Sequence, residues 1–188
     1  MQLMDALYAR RSVRAYTDEP VLHETLEQLV QVAVQAPTGM NAQPWAFGVI
    51  EGAERLTAYS DRTKAFMLDH LDAYPGLERY RDFFTDPNSN IFYHAPALII
   101  VFAKPSGVTA ENDCSMAAYT IMLAAADQGL GSCWIGFFSF LLNQPELLRE
   151  LGVPDGYRPI APLIIGHPAT PPPPSDKAAP EVVFWEGA

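Results

Sequence analysis

Residues Glu111 to Gln128 are apolar almost all the way round a helical wheel, with polar groups gathered mainly at the two ends, so a helix there has no broad face to offer water. Ala117, Ala118 and the run Ala124 to Ala126 permit close backbone approach along it. A wholly buried helix in a chain of 188 residues implies a subunit interface. The segment ALIIVFA at Ala97 to Ala103 is short, continuous and apolar, which fits a central strand covered on both faces. Pro171 to Pro174 form a stiff polyproline spacer. Beyond it lie Val182, Val183, Phe184 and Trp185, side chains that are unfavourable in water and that a second subunit would bury. With 49% hydrophobic residues the chain has enough apolar material for one core of ordinary size, so residues 1–188 are expected to form one domain.

The remaining elements follow from periodicity. Leu3, Met4, Leu7 and Tyr8 recur at helical spacing, and Leu26, Leu29, Val30, Ala33 and Val34 do so more clearly. The second helix stops before Pro37, because a residue preceding proline is pushed out of helical geometry. Strands are expected at Trp45 to Ile50, Ser132 to Ile135 and Pro159 to Gly166, and a short helix at Pro145 to Leu151. Residues 60–90 mix charges with Phe66, Tyr74, Tyr80, Phe83 and Phe84, a composition suited to a helical lid over a site.

The chain carries 22 acidic and 12 basic residues, a formal net charge of −10, which disfavours nucleic acid and anionic membranes as partners. The beginning of the chain has neither a signal-peptide pattern nor a lipidation motif, and the most apolar stretch is broken by Asp127, Gln128, Gly129 and Gly131. No membrane span and a cytoplasmic location are therefore expected. Cys114 and Cys133 have no CxxC spacing and no histidine at ligand distance, so they read as buried free thiols rather than a metal site.

Against that acidic background, Arg10, Arg11, Ser12 and Arg14 concentrate three of the 12 basic residues within five positions. Guanidinium forks and a hydroxyl suit a phosphate dianion, although Arg10 and Arg11 also suit the negative end of a helix. The segment APTGMNAQPW at Ala36 to Trp45 offers Thr38, Asn41 and Gln43 as polar groups for a heteroaromatic ring, or for an ordinary turn. The segment GLGSCWIG at Gly129 to Gly136 fits close backbone approach to a ligand, or a helix cap followed by a buried strand; it is not a dinucleotide fingerprint. No Ser, His and Asp set can be assembled from His23, His70, His94 and His167. Any enzyme activity must therefore come from a bound cofactor.

Taken together and in order, RRSVRAY at Arg10 to Tyr16, APTGMNAQPW at Ala36 to Trp45 and GLGSCWIG at Gly129 to Gly136 resemble the FMN-dependent nitroreductase family. The resemblance extends to IFYHAPALIIVFA at Ile91 to Ala103 and LIIGHPA at Leu163 to Ala169. It implies an α+β fold, with a mixed, mostly antiparallel sheet flanked by helices, in an intertwined homodimer that exchanges residues 171–188 as an arm. It further implies that Arg10 and Ser12 bind the FMN phosphate with Arg11 in support, and that Arg14 reaches the pyrimidine edge of the flavin. Pro37, Thr38, Gly39, Met40 and Asn41 would approach the ring from the partner subunit, with Gln43 supporting their loop. Trp134, Ile135 and Gly136 would face the ring from the first subunit. Where the family often places a basic residue late in the chain to close the phosphate site, this chain has only Lys177. The implied activity is ping-pong reduction of a small electron-poor acceptor, a nitroaromatic or quinone, by NADH or NADPH. The alternatives are an FMN-binding storage or regulatory module without turnover, a relative that consumes its own flavin or dehalogenates an aromatic, and a domain with no cofactor.

Overall fold

The computed structural model describes residues 2–173 and 175–187. Four strands, β1 (Trp45–Glu51), β2 (Ala97–Ala103), β3 (Gly131–Trp134) and β4 (Arg158–Gly166), form one sheet in the order β1-β2-β4-β3 with every neighbouring pair antiparallel. All seven residues of β2 are buried, as its unbroken apolar run requires of a strand with a layer on each side. Ala97, Ile99, Val101 and Ala103 face one layer together with Leu163 and Ile165. That layer is built by α2 (His23–Ala33) and α5 (Ala110–Asp127). Leu98, Ile100 and Phe102 face the other, where α3 (Ala53–His70) and α6 (Gly136–Leu142) supply Leu56, Phe138 and Leu142.

The alanines of α5 work as the sequence implies. Cys114, Ala117, Ala118, Ile121 and Ala125 are fully buried against the sheet and α2, and the small side chains bring helix and strands close. Its opposite face is only partly covered by the described residues: the helix at Leu3–Ala9 reaches it and the Arg10 guanidinium lies 6.0 Å from the Tyr119 ring centroid, while Met116 and Tyr119 remain exposed. Gly129 closes α5 at φ +75°, a left-handed conformation that favours glycine. Gly131 packs under Val13, where an added Cβ would lie 2.8 Å from that side chain. Gly129 and Gly131 thus form a helix cap and a strand start, and the close approach at Gly131 is to the Val13 side chain.

That approach has a purpose in the fold. After α1 (Leu3–Ala9), residues 12–17 run along the outer edge of β3 and past the end of β4. Ser12 makes a parallel bridge to Ser132, and Val13 N donates to Ser132 O at 3.0 Å. Thr17 N donates to His167 O at 2.9 Å, and Ala169 N to Ala15 O at 3.0 Å. The Tyr16 hydroxyl donates to Val13 O at 2.9 Å, and burial holds that phenol protonated. The basic segment is thus fixed to the sheet rather than left as a loose helix end. Among the described residues no helix is long and apolar enough to cross a membrane.

Candidate functional site

Arg10 leaves helical geometry as the cap of α1, and the chain turns its next residues into a cavity of about 290 Å³. Arg10, Arg11, Ser12 and Arg14 line it, and the returning segment after β4 completes the wall with Pro172, Pro173, Ser175 and Lys177. Lys177 of the same chain therefore does reach the cluster. The Arg11 guanidinium donates to Tyr8 O at 2.5 Å and to Arg10 O at 2.9 Å, so it also satisfies carbonyls at the end of α1. The Nε atoms of Arg10 and Arg11 are buried and, among the described residues, have no hydrogen-bond partner. None of the described residues lining this cavity carries a carboxylate. Four cationic side chains and two unanswered donors without a counter-ion form a site for a multiply charged anion.

A second cavity, about 480 Å³, opens beside it, and Arg14 lines both. Its floor is Trp134, Ile135 and Gly136, where β3 gives way to α6. Its walls are chiefly aromatic. Tyr80 meets Phe137 edge to face with centroids 5.1 Å apart, Phe137 meets Phe84 in the same way at 5.1 Å, and Tyr74 meets Phe140 at 4.8 Å. Phe84, in the short helix α4 (Arg81–Thr85), is buried with Met67 and Leu71, which anchors the outer wall in the core. Tyr93 lines the slot with φ +54°, and His94 follows at φ +58°. Two successive non-glycine residues in the left-handed region are backbone strain at the edge of a cavity. The slot combines aromatic walls with the cationic Arg14 at one end, a lining suited to a planar heteroaromatic ring with an anionic tail.

The loop at 37–43 lies elsewhere in the chain and lines neither cavity. Met40 is fully exposed at its apex. Met40, Asn41 and Gln43 have φ of +54°, +56° and +46°, so the loop holds a strained shape rather than an ordinary turn. Thr38 Oγ1 accepts from Gln43 N at 3.3 Å, and Gln43 Nε2 donates to Asn41 Oδ1 at 3.0 Å. Within the chain the structure therefore unites Arg10, Arg11, Ser12, Arg14 and Lys177, joins Arg14 to Trp134, Ile135 and Gly136, and keeps Pro37, Thr38, Gly39, Met40, Asn41 and Gln43 apart.

Tyr80 belongs to the segment expected as a lid over a site, whereas sequence reasoning missed Tyr93, Phe137 and Phe140, which complete the aromatic wall. The available signal was GFFSFLL at Gly136–Leu142, whose apolar density marks a packed helix. Cys133 also lines the slot. Burial pushes its thiol upward, against the pull of Arg14, Ser12 and Arg10, while burial, followed by the charge of Asp113, pushes Cys114 up to about 11. Both thiols are therefore expected to stay protonated and resist iodoacetamide in the native protein at about pH 8, where an unperturbed cysteine of pKa about 8.5 reacts readily. Mass spectrometry would show both alkylated only after denaturation; native labelling of either would contradict the assignment. Among the described residues no group of three His, Cys, Asp or Glu side chains could hold a metal ion.

The nitroreductase family model matches residues 7–167. The chain is 29% identical over 180 residues to an FMN reductase [NAD(P)H] of Bacillus subtilis, covering 89% of this chain and 66% of that protein. A nitroreductase with bound FMN from Bacteroides fragilis superposes with a TM-score of 0.82 at 26% identity, over 100% of both chains. One from Desulfitobacterium hafniense, also with bound FMN, gives 0.82 at 26% identity over 99% of both.

Proposed function

The chain belongs to the nitroreductase family and has its helix-flanked antiparallel sheet, and we propose that it is an FMN-dependent oxidoreductase that takes electrons from NADH or NADPH and passes them to a small electron-poor acceptor. The observation that carries the proposal is the continuity at Arg14 between a carboxylate-free cationic cavity with two unpartnered guanidinium Nε atoms and an aromatic slot. FMN has that outline, a phosphate dianion at one end and a flat ring at the other. The relatives named above are FMN reductases or nitroreductases with bound FMN, which supports the same reading.

Arg10, Arg11, Ser12 and Lys177 would hold the phosphate through charge-assisted hydrogen bonds. Arg14, at the seam, would place a positive charge against the pyrimidine edge, which favours the reduced anion over the neutral oxidised ring. Trp134, Ile135 and Gly136 would support the ring, and the wall from Tyr74 to Phe84 would exclude water while leaving a planar space for one reactant at a time. FMN, when bound, supplies the hydride chemistry that no side-chain constellation here provides. A single slot used in turn by nicotinamide and acceptor gives ping-pong kinetics, with a nitroaromatic or a quinone as the acceptor.

Residues 1–188 are read as one FMN-binding domain working as a homodimer in the cytoplasm. Residues 60–90 act as its lid segment, and residues 171–188 as an arm reaching the other subunit. The exposed side of α5 and the exposed Val182, Val183, Phe184 and Trp185 support a second subunit. So does the position of the 37–43 loop, which meets a flavin only if that flavin is bound to the partner.

Anaerobic stopped-flow mixing tests the activity. The yellow protein is expected to bleach on addition of NADH or NADPH and to regain its colour with a quinone. Protein that binds FMN and bleaches with neither donor would be a binding module without turnover, and protein that binds no FMN would overturn the proposal altogether.

A further inference from the structure

Asp113 is polar, yet it is only 2% exposed, on the inner side of α5 beside the fully buried Cys114 and Ala117. A carboxylate in such a place must be answered by donors. Gly39 N donates to both of its oxygens at 3.3 Å, and the Thr109 hydroxyl donates at 3.1 Å. The other described hydrogen bonds of residues 38–43 stay inside the loop, from Asn41 N to Thr38 O, Ala42 N to Gly39 O, Gln43 N to Thr38 Oγ1 and Gln43 Nε2 to Asn41 Oδ1. The contact to Asp113 is the one that reaches another element. At the same point the backbone closes onto α5 so tightly that a Cβ on Gly39 would lie 2.7 Å from Thr109 Oγ1.

We propose that Asp113 is a positioning residue for the FMN site of the partner subunit, a latch that fixes the 37–43 loop to α5 at the height needed to meet the flavin across the dimer. The proposal rests on the reading above, in which FMN is bound at a subunit interface. The loop is braced by its own hydrogen bonds and strained at Met40, Asn41 and Gln43, so its shape is set from within. Its docking to α5 therefore sets where the Met40 apex stands. Thr109 holds the carboxylate oxygen from the same helical turn, and α5 itself is seated on the sheet. The chain of support runs from sheet to helix to carboxylate to loop, and ends at a surface that lines neither cavity of its own chain.

Asp113→Asn removes the charge and one of the two acceptor oxygens, so that Gly39 N and the Thr109 hydroxyl are left to share a single neutral acceptor, and is expected to weaken FMN binding by about tenfold, the size of a lost hydrogen bond to a charged group, and to alter the absorption of the bound flavin. A loss of stability alone would act within the subunit that carries the change. Mixed dimers separate the two cases. One subunit carries Arg10→Ala with Ser12→Ala, and the other carries Asp113→Asn, each with its own affinity tag. If the loop serves the partner, one site combines both defects while the other combines an intact cradle with an intact loop. The mixed dimer then binds FMN at half its sites with native affinity and spectrum, although both parent homodimers bind poorly. No native site in the mixed dimer would overturn the positioning role, as would native binding by the Asp113→Asn homodimer. Retention of FMN by the Arg10→Ala/Ser12→Ala homodimer would instead strike at the phosphate assignment. Thr109→Val, which removes the hydroxyl donor and keeps the shape, gives the same pairing test should the Asp113 variant fail to fold.

Discussion

Replacing Arg10 and Ser12 together by alanine should lower FMN affinity by about a hundredfold or more, measured by fluorescence titration of the apoprotein. A hydrogen bond to a charged group contributes about 1.5–3 kcal/mol, and about 1.4 kcal/mol is a factor of ten in affinity, so losing two such partners costs at least two orders of magnitude. The double change is the informative one because Arg11 is already engaged with Tyr8 O and Arg10 O, and Lys177 stands by on the returning segment. Lys177→Ala alone should have a smaller effect, since a lysine acts as a single point charge and lacks the planar fork of an arginine. The difference between the double variant and the unchanged protein should narrow with added salt, because the attraction that Arg10 contributes is itself screened. Unchanged FMN affinity in the double variant would remove the phosphate site from this cavity.

The second large effect concerns the arm. Removing residues 175–188 should weaken the homodimer by about a hundredfold or more, because each of Val182, Val183, Phe184 and Trp185 contributes on the order of 1.5–3 kcal/mol when buried, and part of that sum survives the cost of ordering the arm. Sedimentation velocity across a dilution series measures it. The expected receptor is the outer edge of β1. Pro44, Ala46, Gly48, Ile50 and Gly52 turn their backbone groups toward β2 and its flanks, as the bonds from Lys104 N to Pro44 O and from Gly52 N to Pro96 O show. Trp45, Phe47, Val49 and Glu51 then present theirs outward, ready for strand addition. Since the truncation also removes Lys177, FMN loss in it has to be compared with full-length Lys177→Ala. A truncated protein that remains a tight dimer would leave the exposed face of α5 to explain the assembly and would end the arm-exchange proposal.

Much of the frame was legible because its signals are local and apolar. The run Ala97 to Ala103 is the buried central strand, α5 spans Ala110–Asp127 where its all-round hydrophobicity placed it, and β1 and β4 begin and end within a residue of expectation. The helix α3 escaped notice for a physical reason. Its inner face carries Ser60, Thr63 and Lys64, all buried, so hydrophobic periodicity fails where polar groups serve the neighbouring loop. Ser60 Oγ accepts from Ile91 N at 3.0 Å, and Lys64 Nζ donates to Asp86 O at 3.1 Å and Ser89 O at 2.8 Å. The site was half legible. Contiguous residues such as Arg10 to Arg14 announce themselves, whereas Tyr80, Tyr93 and Phe137 are brought together by tertiary packing. The partnership of Gly39 with Asp113 spans a separation of 74 residues, beyond the reach of any local pattern.

The sharing of Arg14 between the two cavities has an evolutionary corollary. On the proposed reading, a protein that changes its preferred acceptor by altering this residue would disturb its grip on FMN in the same step, which closes Arg14 to that kind of drift. Of the two cavities, Tyr80 and Phe140 line only the slot. Substitutions there can trade one acceptor for another while the cradle keeps its hold, which makes the aromatic wall the natural place for diversification and the first place to build a library.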